Sequence, residues 1–204
     1  MPDDTAILTF DGVSYRGAGR QPDLSETTLS LGRGDVVLIE LSPGDILPPF
    51  SELAQGLLGP DGGTVGFLGR SGDHMTAYER SRSRAKIGRV FERPGWVSNL
   101  NVKENVLLAE LHHTSRPASD VEAEAGELAN LLGLSAIPEV RPHALRDRDL
   151  RPLEWVRAFL GRPCLVLLDR PELHAPPEAG NGLGKLIERA AGDGAATLWL
   201  SSAP

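Results

Sequence analysis

The segment Arg162-Pro-Cys-Leu-Val-Leu-Leu-Asp-Arg-Pro-Glu172 constrains the fold of this chain more than any other. Its apolar run, residues 164–168, is too short for a buried helix and rich enough for a strand covered on both faces, as in the middle of a parallel sheet. The chain is therefore read as α/β. Asp169 stands where such a strand exits at its carboxyl end, the place where open α/β sheets put ligand chemistry. Core strands also end on aspartate for structural reasons alone, so the neighbouring segments decide its role.

The 204 residues fit one domain, and at that size about two-thirds to three-quarters of the unfolded surface can be buried. A formal charge of −7 argues against a general nucleic-acid or membrane-surface binder. The local basic run Arg80, Arg82, Arg84, Lys86 and Arg89 is read as a solvated face. The single cysteine, Cys164, excludes an internal disulfide framework; placed in the core strand, it reads as a small inert hydrophobe. No apolar stretch approaches the roughly eighteen residues of a membrane span, and the amino terminus lacks the basic and apolar regions of a signal peptide. A cytosolic chain is expected.

Residues 6–10 and 28–31 alternate as edge strands, separated by the turn-rich 16–22. A tight turn at 32–35 leads into 36–39, read as a second buried strand lying alongside the first, with Ile39 beside Leu168. Helical spacing of Phe50, Leu53, Ala54 and Leu57 predicts a helix over 49–58, since proline is tolerated in a first turn. A strand at 64–68, a turn at 69–73 and a strand beginning at Ile87 follow. Ser119 and Glu122 form a capping-box start for an amphipathic helix that stops at Gly133. A helix over 184–191 and a last strand over 195–200 complete the pattern. His112 and His113 are adjacent and diverge around a helix, so no metal site is assigned to them.

Between Leu145 and Glu172 the layout resembles the ATP-binding subunits of ABC transporters. There a signature loop, LSGGQ, opens a helix ending in an ARAL phrase, and a strand closing on Asp-Glu-Pro follows. Here Leu145-Arg146-Asp147-Arg148-Asp149 takes the place of the signature, and Arg157-Ala158-Phe159-Leu160 that of the helix end. The segment 55–65 is similar to the phrase that follows the family's phosphate-binding loop and fixes the register of that loop on 41–49. Residues 99–106, Asn-Leu-Asn-Val-Lys-Glu-Asn-Val, give the most intact match. Residues 107–117 resemble a segment of Mla-type lipid transporter ATPases.

The resemblance implies a P-loop NTPase-like fold with a parallel or mixed core sheet, an antiparallel β subdomain at the amino terminus, and a helical subdomain at about 95–155, all within one domain spanning 1–204. The chain ends short of the family's carboxy-terminal helices, so a sheet edge or face is expected to be covered by something else. It also implies where chemistry is altered. Leu47 stands for the phosphate-binding lysine and Pro48 for the hydroxyl that holds Mg²⁺. Glu92 replaces the Q-loop glutamine, Arg146 the signature serine, Arg170 the water-activating glutamate and Ser202 the histidine that contacts the γ-phosphate. Asp45 puts a negative charge where phosphates would lie. Residual contact with ATP or Mg²⁺ would come from Tyr15, Gly44 and Asp169. Tyr15 occupies the position of the family's adenine-stacking aromatic, and a half-buried strand tyrosine explains it equally well.

The expectation is a degenerate, non-hydrolytic ATP-binding subunit without catalytic residues or a metal site. It would be a structural or regulatory part of a transporter, partnered by a transmembrane permease or an active ATPase subunit, as a homo- or heterodimer peripheral to the inner membrane. A composite ATPase completed by a partner, and a soluble scaffold unrelated to transport, are the alternatives.

Overall fold

The structure is a computed structural model that describes residues 6–19, 21–71 and 75–202. Two four-stranded sheets face each other. In the first, β1 (Leu8–Tyr15) is flanked by β2 (Leu24–Leu31) and β4 (Gly62–Phe67), all antiparallel, and β5 (Arg70–Ser71) closes the edge. Alternation along β1 buries Leu8, Phe10 and Val13 on the inner face. Gly63 must remain glycine: its φ is +75°, and a Cβ there would lie 2.3 Å from the Gly12 carbonyl oxygen. This sheet is the expected antiparallel subdomain, with both of its first strands longer than the 6–10 and 28–31 read from sequence.

The second sheet is parallel throughout, in the order β3 (Val36–Leu41), β8 (Ala196–Ser202), β7 (Leu165–Asp169) and β6 (Ile87–Val90). All five residues of β7 are buried, as its apolar run requires. Two expectations fail here. Ile39 pairs with Leu200, which pairs in turn with Asp169, so β8 separates β3 from β7 and Ile39 does not lie beside Leu168. Nor is β3 a buried strand: it forms the sheet edge, with Val36 47% and Leu38 48% exposed. The physical reason is cover. Ala196, Leu198 and Leu200 of β8 are wholly buried, whereas β3 turns only Val37, Ile39 and Leu41 toward the core. A half-covered strand belongs at an edge.

One core lies between the sheets, where Phe10 meets Phe50 edge to face at 5.4 Å and Leu165, Leu167, Leu198 and Leu200 complete the packing. The other lies between the parallel sheet and the helices, around Trp155, Val166, Leu168 and Leu186. The helix after β3, α1 (Phe50–Ala54), is shorter than 49–58 because Gly56 takes φ +61° and ends it. α2 (Ala77–Arg84), absent from the sequence reading, starts at a capping box formed by Thr76 and Glu79. α3 (Val102–His113) starts at another, formed by Asn101 and Glu104 within the 99–106 phrase.

α4 (Ala118–Leu131) does not use the expected Ser119 capping box. Pro117 holds the cap position and Ser119, already helical, bonds Asp120 instead; Gly133, at φ +75°, stops the helix as read. α5 (Asp147–Phe159) and α6 (Gly180–Gly192) complete the layer. Cys164 precedes β7 and is half-buried, not central in the strand. The expected turn over 69–73 falls at 68–69, and residues 72 and 73 lie outside the described residues. Among the described residues no helix is long and apolar enough to cross a membrane.

Candidate functional site

At the carboxyl ends of β6 and β7 a cleft of about 380 Å³ opens between the 41–49 loop, α1 and the segment after β6. Asp169 reaches it from β7. The loop is shaped by its own residues: Gly44 takes φ +89°, and the Asp45 carboxylate accepts from the Ser42 amide at 2.9 Å. Asp45 therefore folds back on its loop instead of projecting toward the cleft. Leu47 and Pro48 line the cleft with apolar surface, and Pro48 and Pro49 take two amide donors out of the approach to α1.

Asp169 is 3% exposed and fully engaged. The Ser51 hydroxyl donates to Oδ1 at 2.6 Å; Arg89 meets Oδ2 through Nε at 2.8 Å and Nη2 at 2.6 Å. The same guanidinium donates to the Gln55 side chain at 2.9 Å and to Glu52, and stacks 4.5 Å above the centre of the Phe91 ring. Burial pushes the Asp169 carboxyl above the ordinary aspartate range, and the Arg89 charge and the Ser51 hydroxyl pull it back. Arg89 thus belongs to the site and not, as the basic run suggested, to a solvated face. Its signal in the sequence was a lone cation inside a strand, Ile87-Gly-Arg-Val, adjacent to the most buried strand of the sheet. Ser51, Glu52 and Gln55 were also missed; they enter the site because α1 starts one residue after the prolines and turns its side chains across β7.

A second guanidinium closes the neighbouring space. Arg170, at φ +45°, donates to the Glu92 carboxylate and to the Asp45 carbonyl, while its amide bonds Leu200 at 2.8 Å. That left-handed backbone costs about 1–3 kcal/mol and persists because these bonds hold it. Below it, the wholly buried Arg151 of α5 ties three segments together: Nε donates to Pro171 at 3.1 Å, Nη1 to Phe91 at 2.7 Å and Nη2 to Arg170 at 2.7 Å, all to carbonyls. Nη1 also pairs with Glu154, whose carboxyl burial pushes upward.

The other residues singled out from sequence lie apart from this cluster. The Tyr15 hydroxyl donates to Gln21 at 3.0 Å, and its ring packs on the inter-sheet core. Arg146, exposed at the start of α5, pairs with Asp149 at 3.0 Å. The Ser202 amide donates to Glu172 at 3.2 Å, beside the Ser201 hydroxyl at 2.9 Å. Of Tyr15, Gly44 and Asp169, only Asp169 lines the cleft. Among the described residues no three His, Cys, Asp or Glu side chains are grouped to hold a metal ion.

No family model matches the chain. Its relatives nevertheless agree. It is 32% identical over 184 residues to the lipoprotein-releasing system ATP-binding protein LolD 1 of Chlorobium luteolum, covering 85% of this chain and 77% of that one. Over 195 residues it is 26% identical to the phosphonates import ATP-binding protein PhnC 2 of a Synechococcus species, covering 92% of this chain and 72% of the relative. A dimeric bacterial ABC transporter cassette superposes with a TM-score of 0.82 at 18% identity, over 96% of this chain and 88% of that structure.

Proposed function

From the premise that the chain belongs to the ATP-binding subunits of ABC transporters, we propose that it is a non-hydrolytic member that serves its complex as a structural or regulatory subunit. One observation carries this reading. The aspartate at the end of β7, one of the residues from which residual contact with ATP or Mg²⁺ was expected, is neutralised by Arg89 of the same chain. A divalent cation would have to displace a buried guanidinium that has further partners in Gln55 and Glu52. Hydrogen bonds to charged groups contribute about 1.5–3 kcal/mol each. Leu47 and Pro48 in place of a lysine and a hydroxyl therefore remove roughly 3–6 kcal/mol, a factor of about 10² to 10⁴ in affinity for a triphosphate. With Arg170 in place of the glutamate that activates water, the chain has no base at that point.

As parts of the same reading, the chain would engage a transmembrane permease, an active ATPase subunit, or both, and so lie at the inner membrane through them. A lipid-linked cargo for that complex is favoured by the lipoprotein-releasing relative and by the likeness of 107–117 to a lipid-transporter segment. Titration calorimetry of the purified chain with Mg-ATP is the test. No saturable binding below about a millimolar is expected. Micromolar binding would overturn the proposal, and hydrolysis abolished by Asp169→Ala in the presence of a partner subunit would replace it with a composite ATPase.

A further inference from the structure

A helix normally joins a core by an apolar stripe, and α2 has none. None of its residues is buried, yet it lies across an apolar surface formed by Leu53, Leu58, Val65 and Phe67. Between them is a cavity of about 340 Å³, bounded by Leu57, Met75 and Ile87 as well. Arg80 and Arg84, one turn apart on α2, face the cavity together. One nitrogen of Arg80 is held by the Met75 carbonyl at 2.6 Å. Arg70 is paired with Glu79 at 2.8 Å, and among the described residues no carboxylate pairs with Arg84.

Leu53, Val65 and Phe67 give the cavity an apolar wall, and Arg80 and Arg84 give it a cationic one. The volume lies at the lower end of the range for small-molecule pockets. An apolar body of that size with one anionic end matches both walls: the chain lies against Leu53, Val65 and Phe67, and the anion meets Arg84 and the remaining donors of Arg80. Three arginines, Arg70, Arg80 and Arg84, line this cavity on a chain of net charge −7, and Arg70 is already paired with Glu79. We infer that this cavity binds a single-chain anionic amphiphile through a carboxylate or phosphate headgroup. This is independent of whether the cleft at Asp169 takes nucleotide.

Calorimetry of the full chain with decanoate, decyl phosphate and decanol tests it. Saturable one-to-one binding of decanoate or decyl phosphate is expected. The tighter of the two identifies a fatty acid or a lipid phosphate as the source, and decanol should bind at least tenfold more weakly. Arg84→Ala should weaken the anion about tenfold to a hundredfold, and Leu57→Trp, which fills the mouth from an exposed position, should abolish binding. Thermal melts identify any variant that does not fold, and the comparison with decanol needs no variant. Equal binding of decanol, no saturable binding of either anion, or unchanged affinity in folded Arg84→Ala would overturn the inference.

Discussion

Replacing Arg89 with methionine removes the cation from Asp169 while keeping much of the stem that packs on Phe91. The substitution deletes the 2.8 and 2.6 Å contacts to Asp169, the 2.9 Å bond to Gln55 and the pair with Glu52. What remains is a carboxylate that is 3% exposed and held by Ser51 alone. Removing one partner of a buried pair costs about 3–5 kcal/mol, because the other charge is left uncompensated. In a chain of this size that lowers the melting temperature by roughly 6–20 °C, at about 2–4 °C per kcal/mol. The loss should also depend on pH. Burial already holds the Asp169 pKa above its unfolded value of 3.8, and losing Arg89 raises it further. Between the unfolded and folded values the native state binds the extra proton, so the variant loses stability as pH rises through that window and regains it on acidification. Arg89→Met with Asp169→Leu removes both charges and should recover most of the deficit. Urea unfolding followed by the fluorescence of the buried Trp155 measures all three proteins. A single variant within 1 kcal/mol of the parent, or a double variant no more stable than the single, refutes the reasoning.

Three further outcomes follow from the packing. Asn105 is 2% exposed, accepts from the Val97 amide at 2.8 Å and donates to the Val97, Leu100 and Asn101 carbonyls at 3.1, 3.3 and 2.9 Å; Asn105→Ala should cost about 2–4 kcal/mol in urea unfolding. A Cβ on Gly88 would lie 1.8 Å from the Ala158 carbonyl oxygen, so Gly88→Ala should separate β6 from α5 and cost about 3 kcal/mol or more by the same measurement. The Glu79 carboxyl is drawn from 4.5 down to about 2 by the Thr76 amide and Arg70; its contribution is complete above 4.5 and lost as pH falls through about 2. A carbon-detected NMR titration should place its midpoint near 2 and move it upward in Arg70→Ala.

The sequence was most informative where a pattern was long and local. The apolar run before Asp169 named the central strand correctly, and Gly133 marked the end of α4 because a left-handed residue is needed there. Ordered spacing between many short phrases was enough for the family. Order across the sheet was not legible, since β3 and β8 are both apolar and only their cover in three dimensions assigns the edge. The charged cluster was half legible. Asp169, Glu92 and Arg170 stood at positions the family marks, but Arg89 looked like one more surface cation in a basic run. Its place inside a strand was the one local sign, and the carboxylate it reaches lies eighty positions later. Ser51 was hidden for a related reason: with prolines at 48 and 49, the hydroxyl that reaches Asp169 comes one helical turn later than the family's spacing suggests.

The guanidinium on Asp169 is fastened to the same polypeptide, and its availability does not depend on solution chemistry. A soluble ion can be withdrawn by a chelator or outcompeted by other cellular anions; a side chain on the adjacent strand is present at a fixed, high effective concentration whenever the protein is folded. Chelation should therefore leave the pair between Arg89 and Asp169 intact, so the charge balance at the end of β7 is set by the fold itself.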